Sequence, residues 1–393
     1  MNLCLKVNPD FTISGKKMAL YERGIRALFA AGGTAGHIVP ALTIAERIKE
    51  RYPSSTIYFV GTESGMEGAL VLKRGFSFLT IKAHPFRGGL KRVVNFLTNF
   101  PSSLSEAISV VRGTDPNVVV GTGGYVSVPT ILAAKLLGIP TLIHIQNVSP
   151  GLASLCLSFF ASEIHTAFPG TEKRIFWRSR KKLFVSGNPV TVRLPEKVRD
   201  EIINEMNLHH DFFTILVTGG SQGSKAINRA VLDIVKASLL PDNIQIIWQT
   251  GYANYDEIEN QREDFRMVVH LAPFFENMNE VYSVSDLVIC RAGALTLSEV
   301  ASWGLPSIVI PYRGAGGHQK KNAQYFERAG AAVVIPENEL SAPTLAREII
   351  KIYTNEPKRH SMIRAARKLS REGGTDFIVD HIVNLVFQRR RNV

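Results

Sequence analysis

Arg291, Thr296 and Glu299 are the residues whose types and spacing most directly suggest chemistry. The apolar run Leu287-Val288-Ile289 ends at Cys290-Arg291, Gly293 supplies a turn, and Ala294 to Glu299 reads as the first turns of a helix. Strand, tight glycine turn and helix together present unpaired backbone N–H groups to an anion. Glu299 follows Thr296 by one helical turn, so both can face one ligand. A carboxylate beside such an anion site suits a ribose diol, since it accepts two hydroxyl hydrogen bonds where a phosphate would be repelled. Taken alone, the stretch reads equally as a βα corner with Glu299 on the solvated helix face.

The elements that must position such a site recur along the chain. Ile25 to Ala30 reads as a strand running into Gly32-Gly33-Thr34-Ala35-Gly36-His37, and Pro40 to Glu50 as an amphipathic helix with Pro40 in its first turn. The loop is not G-x-G-x-x-G, and the next strand, Ile57 to Val60, is followed by Gly61-Thr62 without the acid a nicotinamide dinucleotide fold needs. Phe76 to Ile81 reads as a further strand, and Val118 to Val120 leads into a glycine turn from Gly121 to Ser127. A helix to Leu137 and a strand from Thr141 to Ile145 follow, ending at Gln146-Asn147. Leu183 to Val185 is broken by Gly187-Asn188-Pro189, and Pro195 with the charged run Glu196 to Glu205 marks a linker.

The second half restarts the scheme. Phe213 to Thr218 runs into the turn Gly219 to Ser224 and a helix from Lys225, with strands at Ile244 to Trp248, Met267 to His270, Leu287 to Cys290, Ser307 to Ile310 and Ala332 to Ile335. Pro311 to Gly317 forms a glycine-rich loop before a helix opened by His318, and the tail from Pro343 has a helical pattern ending in Arg389-Arg390-Arg391. Alternation of strand and helix predicts two parallel-sheet α/β domains. The glycine turns lie at strand carboxyl ends, where open α/β sheets bind ligands, so they predict one converging cleft.

Bulk properties narrow the class. A chain of 393 residues with 45% hydrophobic and 20% charged residues fits two soluble domains. Three scattered cysteines, Cys4, Cys156 and Cys290, argue against a disulfide scaffold or zinc site and for a reducing compartment. Residues 1–24 read as a leader without periodicity or a signal peptide, with Met18 an alternative start. The apolar region Val126 to Ile145 is interrupted by Pro129, Lys135, Gly138 and Pro140 and so is not a span. A net charge of +12 implies an anionic partner; a basic stripe in aromatic or helix-turn-helix context, which nucleic acid would require, is not found. In Phe86 to Phe100, basic and large apolar residues interleave, with Lys82, Arg87, Lys91 and Arg92 at one end and Pro101 closing the segment. It reads either as a core-facing helix with a solvated end or as a segment lying in a lipid headgroup layer.

The strings GGTAGH (Gly32 to His37), GTGGYVS (Gly121 to Ser127), GNP (Gly187 to Pro189), GGSQG (Gly219 to Gly223), CRAGALTLSE (Cys290 to Glu299) and HQKKNA (His318 to Ala323) occur in this order. Together they resemble the MurG family over about Ile25 to Val334. The resemblance implies a GT-B fold: two Rossmann-like α/β domains facing across a cleft. Residues 25–188 would bind acceptor and membrane, residues 189–370 would bind donor, and residues 371–393 would form a C-terminal helix and basic tail. It implies inverting transfer of N-acetylglucosamine from UDP-GlcNAc to the 4-hydroxyl of MurNAc in undecaprenyl-pyrophosphoryl-MurNAc-pentapeptide. The enzyme would sit peripherally on the cytoplasmic face of the bacterial inner membrane, with other cell-wall synthesis proteins as partners.

By the same resemblance, Glu299 holds the ribose, while Ser221, Gln222, Gly223 and the helix start Ala294-Leu295-Thr296 meet the diphosphate. Arg291 aids the leaving group or braces Glu299. Backbone groups at Phe275 read uracil, His318 and Gln319 bind the sugar, and Thr34, Ala35 and Gly36 complete the donor site. Gly33, Thr34, Gly124, Tyr125, Gln146, Asn147 and Arg193 would meet the acceptor. His37 would be the general base; by itself, a histidine at a helix start is equally explained by capping. Two departures stand out: Ile145 replaces the family's Glu in His-Glu-Gln-Asn, and Thr191 replaces the Arg after Gly-Asn-Pro-Val. No Asp-x-Asp at a strand end suggests a metal, so no cofactor is expected. Other readings are a UDP-GlcNAc 2-epimerase, a GT-B glycolipid synthase and a catalytically silent sugar-nucleotide-binding scaffold.

Overall fold

The protein is described from a computed structural model covering residues 24–33, 35–63, 67–83, 90–314 and 317–391, with backbone alone at 35, 90–97, 390 and 391. The leader with Met18, Thr34, and Phe86 and Arg87 lie outside the described residues, as do the side chains of Lys91 and Arg92.

Strand and helix alternate from β1 (Arg26–Ala31), α1 (Ala35–Arg51), β2 (Thr56–Gly61), α2 (Glu67–Lys73) and β3 (Ser77–Thr80) to α3 (Leu90–Thr114), β4 (Val118–Gly123), α4 (Ser127–Leu136) and β5 (Thr141–Ile145). Then follow α5 (Leu152–Phe160), β6 (Glu163–Thr166), β7 (Leu183–Val185) and α6 (Arg199–Glu205). The second series is β8 (Phe213–Thr218), α7 (Lys225–Ala237), β9 (Ile244–Gln249), α8 (Tyr252–Glu259), β10 (Val269–Ala272), α9 (Met278–Ser283) and β11 (Leu287–Cys290). It continues through α10 (Ala294–Trp303), β12 (Ser307–Val309), α11 (His318–Arg328) and β13 (Ala332–Val334). The chain ends in α12 (Ala342–Tyr353), α13 (Glu356–Leu369) and α14 (Gly374–Arg391).

The strands form two sheets, ordered β3-β2-β1-β4-β5-β6-β7 and β10-β9-β8-β11-β12-β13. Pairing is parallel about β1 and throughout the second sheet. In each sheet the strand order reverses beside the first strand, between β1 and β4 and between β8 and β11, and such switch points open a crevice at the strand carboxyl ends. The glycine turns singled out by sequence flank these two places. The chain divides into two compact units, residues 1–144, 156–164 and 376–393, and residues 145–155 and 165–375.

In the first unit, α14 inserts Ile378, Val379, Ile382, Val383 and Val386 into a core built by Phe29, Ile44, Ile48 and Phe59. Arg47 grips Asp376 with two hydrogen bonds of 2.7 and 3.1 Å, and Arg51 reaches Asp380 at 2.6 Å. In the second unit both faces of the sheet are covered, one core containing Ile227, Val231, Leu345 and Ile349 and the other Leu297, Val300, Phe326 and Ala366.

Several local expectations are corrected. Helix α1 begins at Ala35, so Pro40 lies inside it and forgoes the bond to the carbonyl of exposed Gly36. Helix α3 likewise runs through Pro101 to Thr114. The charged run after Pro195 contains α6, whose buried face is Ile202 and Ile203. Strand β10 starts two residues later than read, and α5 and β6 were not anticipated because their short apolar stretches carry no clear period.

Candidate functional site

The second unit holds a pocket of about 640 Å³ lined by Gly219, Gly220, Gly223, Ser224, Lys225, Ala226, Arg291, Gly293, Thr296, Tyr312, Gln319 and Glu337. Two helix starts, those of α7 and α10, meet there. Ser224 caps α7 by accepting the Ile227 N–H at 3.4 Å. Gly293, the cap residue of α10, offers no side chain, so the first-turn N–H groups of Ala294, Leu295 and Thr296 are left for a ligand. Both dipoles place positive potential at the pocket, a favourable setting for a diphosphate.

The turn from Gly219 to Ser224 depends on glycine at particular points. At Gly223 the backbone has φ +72°, and a Cβ would stand 2.0 Å from the Thr250 carbonyl oxygen. Ser221 and Gln222 are exposed on that turn. Beneath it, buried Gln249 donates to Thr218 Oγ1 at 3.1 Å and accepts the Phe275 N–H at 3.0 Å, tying the turn to the residue expected to read a base.

The side chains along the wall are held from behind. Arg291 pairs with Glu337 at 2.5 Å, donates to the Ile310 carbonyl at 3.3 Å, and lies 5.4 Å over the Tyr312 ring. Gln319 accepts the Tyr312 N–H at 2.9 Å. Glu299, one turn along α10, is partly buried, and Tyr282 donates its hydroxyl hydrogen to it at 2.9 Å. Burial pushes the Glu299 carboxyl up to about 7, and the Tyr282 hydrogen bond opposes this. The carboxylate is therefore only partly ionised near neutrality, and hydroxyl donors would favour its charged form.

Asn188 of the GNP string braces α10, donating to the Ala294 carbonyl at 3.1 Å, to Ser298 Oγ at 2.9 Å and to the Gln146 carbonyl at 3.3 Å. Fully buried Asn322 donates to Asn147 Oδ1 at 2.9 Å and to the Ala292 carbonyl at 3.1 Å, and accepts the Val148 N–H at 3.1 Å. His318 meets the Ser149 carbonyl at 3.0 Å. Gln146 and Asn147 thus share a unit with the pocket. Arg193 is exposed, its N–H 3.4 Å from Asn279 Oδ1.

In the first unit, the turns after β1 and β4 close on one another. A Cβ at Gly124, where φ is +83°, would stand 2.2 Å from the Gly32 carbonyl oxygen, so the two backbones meet directly. The Tyr125 ring lies 3.4 Å from the corresponding point on Gly33. His37, partly buried, sets Nδ1 3.2 Å from the Thr122 carbonyl, and Thr122 Oγ1 donates to the His37 carbonyl at 2.7 Å. Donation from Nδ1 leaves Nε2 as the basic nitrogen. Gly36 is exposed at the start of α1. After β2, buried Glu67 of α2 accepts from the Thr62 N–H at 3.3 Å and its hydroxyl at 3.1 Å.

Of the pocket wall, Gly223, Arg291, Thr296 and Gln319 carry a local sequence signal. Ser224 could have been found as a cap before a helix, and Asn322 as the residue one turn after Gln319. Glu337, Tyr312 and Tyr282 have no such signal, since separate segments deliver them, Glu337 and Tyr312 from loops and Tyr282 from α9.

Two family models match the chain: the glycosyltransferase family 28 N-terminal domain over residues 27–166 and the family 28 C-terminal domain over residues 214–377. A protein of Chlorobium limicola is 38% identical over 352 residues, covering 87% of this chain and 94% of the relative. One of Thermoanaerobacter is 35% identical over 353 residues, covering 88% and 96%. Both are named UDP-N-acetylglucosamine--N-acetylmuramyl-(pentapeptide) pyrophosphoryl-undecaprenol N-acetylglucosamine transferase. The crystal structure of Acinetobacter baumannii MurG superposes with a TM-score of 0.71 at 28% identity, covering 91% of this chain and 98% of that one. A UDP-GlcNAc 2-epimerase from Neisseria meningitidis, at 14% identity and a TM-score of 0.64, shares the fold.

Proposed function

Because the chain belongs to glycosyltransferase family 28 and, within it, to the MurG family, we propose that its pocket seats UDP-GlcNAc with the diphosphate against the starts of α7 and α10. The chain is an N-acetylglucosaminyltransferase that joins GlcNAc to lipid-linked MurNAc-pentapeptide, forming the disaccharide precursor of peptidoglycan. The observation that carries the residue-level reading is the convergence of two helix starts and Arg291 on one pocket, with Glu299 a turn further along. Glu299 takes the ribose hydroxyls, Gln319 and His318 the sugar, and the backbone at Phe275 the uracil.

In the reaction, His37 Nε2 removes the proton from the 4-hydroxyl of MurNAc as that oxygen attacks the anomeric carbon. The bond from this carbon to the diphosphate breaks with inversion, and UDP leaves with the electron pair. The uncapped N–H groups of α10, the α7 dipole and Arg291 stabilise the departing charge, so the mechanism calls for no metal. Gly33, Thr34, Gly124, Tyr125, Gln146, Asn147 and Arg193 are assigned to the acceptor.

Peripheral attachment to the cytoplasmic membrane face through residues 86–100 is part of the proposal. Among the described residues no helix is long and apolar enough to cross a membrane. The test is UDP release from UDP-GlcNAc with the lipid-linked acceptor, run with and without EDTA. Acceptor-dependent release unaffected by EDTA supports the reading. Acceptor-independent formation of the 2-epimer would replace it with an epimerase, and absence of any turnover would leave a silent binding protein.

A further inference from the structure

The connection between β6 and β7 carries a surface that the transfer reaction does not use. Residues 171–182 contain six basic side chains, Lys173, Arg174, Arg178, Arg180, Lys181 and Lys182, against one acid, Glu172. Among them Phe176 and Trp177 stand 40% and 61% exposed, with ring centroids 5.9 Å apart. The Arg178 guanidinium lies 5.0 Å over the Trp177 ring.

The turn that presents these rings is fastened from beneath. Ile175 and Ser179 are buried, and Ser179 donates its N–H to the Phe176 carbonyl at 2.9 Å. Arg180 reaches back to the carbonyls of Ile175 and Lys173 at 3.3 and 3.4 Å, and Arg174 donates to Ser149 Oγ at 2.7 Å. The Glu172 carboxylate accepts the Gly170 N–H at 2.8 Å. Two adjacent, exposed aromatic side chains therefore stand on a connection that carries six cations.

We infer that Phe176 to Lys182 is a second membrane contact, which docks the rings into the headgroup layer of an anionic bilayer. An exposed indole beside a phenyl ring needs an apolar layer with polar groups at its edge, and the cations need fixed negative charge. An anionic lipid surface supplies both in one plane, whereas an acidic protein answers the charges without an apolar layer, and a single strand stacking its bases on the rings is an outcome the test distinguishes. The contact is separate from residues 86–100 and stands whether or not the catalytic assignments do.

Trp177 is the exposed tryptophan of three, Trp248 being fully buried and Trp303 partly so, which makes the test direct. The full chain is mixed with phosphatidylcholine vesicles, with and without phosphatidylglycerol, some carrying brominated acyl chains. The difference in emission between the wild type and Trp177→Phe isolates the residue. The expected result is a blue shift and bromine quenching of the Trp177 component on the phosphatidylglycerol vesicles alone. Arg178→Glu with Lys181→Glu should lower vesicle partitioning roughly tenfold or more, with UDP affinity unchanged as evidence of intact folding. The inference is overturned if the protein binds these vesicles with Trp177 unquenched, or if it does not bind them. It is equally overturned if neutral vesicles quench Trp177 as well, or if single-stranded DNA shifts its emission and vesicles do not.

Discussion

At the scale of single residues, the ribose role proposed for Glu299 would couple the donor pocket to pH. Burial pushes its carboxyl up to about 7, and hydroxyl donors at the proposed ribose site would favour the ionised form. The KM for UDP-GlcNAc should therefore rise as pH falls below about 7 and flatten above it. Steady-state kinetics from pH 5.5 to 8.5 (a range of roughly three units about that value) would show the limb, and Glu299→Gln should abolish it while weakening donor binding. The folded pKa lies above the ordinary carboxyl value, so the folded state holds this proton more tightly than the unfolded one. The contribution to stability is full at acid pH and is lost as pH rises through about 7. At pH 8 the empty Glu299→Gln protein should melt higher than the wild type, a stability gain opposed to function. Tyr282→Phe removes a bond that favours the carboxylate and should move the kinetic limb to higher pH.

His37 provides the second residue-scale case. A Cβ at Gly123 would stand 2.5 Å from His37 Nδ1, in a backbone with φ +120°. Gly123→Ala should displace the imidazole and lower kcat about a hundredfold, a common loss when a positioned base is removed. UDP affinity, measured by calorimetry, should be unchanged, because the lining of the pocket proposed for the diphosphate lies in the other unit. Normal turnover by this variant would argue against His37 as the base.

At the scale of elements, α7 and α10 start in opposite ways at the same pocket. The side chain of Ser224 satisfies an orphan N–H of α7, whereas Gly293 leaves those of α10 open. Ser224→Ala should cost about 1 kcal/mol of stability, a typical loss for such a cap. UDP should restore part of the melting temperature, since ligand binding to the folded state stabilises it by mass action. Thermal melts with and without UDP would check both.

At the scale of the whole molecule, the chain's last helix completes its first unit. Ile378, Val379, Ile382, Val383, Leu385 and Val386 of α14 are all buried in the core of β1, β2 and α1. At about 1.5 kcal/mol or more each, they contribute about 9 kcal/mol, comparable with the net stability of an entire domain. A chain ending at Thr375 should lose hydrogen-exchange protection in β1 and α1, while β8 and β11 keep theirs. Equal protection in both units would show that α14 is dispensable.

The sequence by itself determined the alternation of strand and helix, both parallel sheets, and most of the glycine turns, because these depend on local periodicity and on φ angles that only glycine tolerates. It also marked Arg291, Thr296, Glu299 and Gln319, whose spacing is confined to one helix start or one loop. Only the tertiary structure decided which partners those residues meet. Glu337 on Arg291, Tyr282 on Glu299, Gln249 beneath the turn and Glu67 beside the first glycine loop are separated from their targets along the chain or in the backbone trace. Crossover connections and burial bring them into contact. The ionisation of Glu299 was likewise hidden, since a carboxyl's pKa follows from what surrounds it in space.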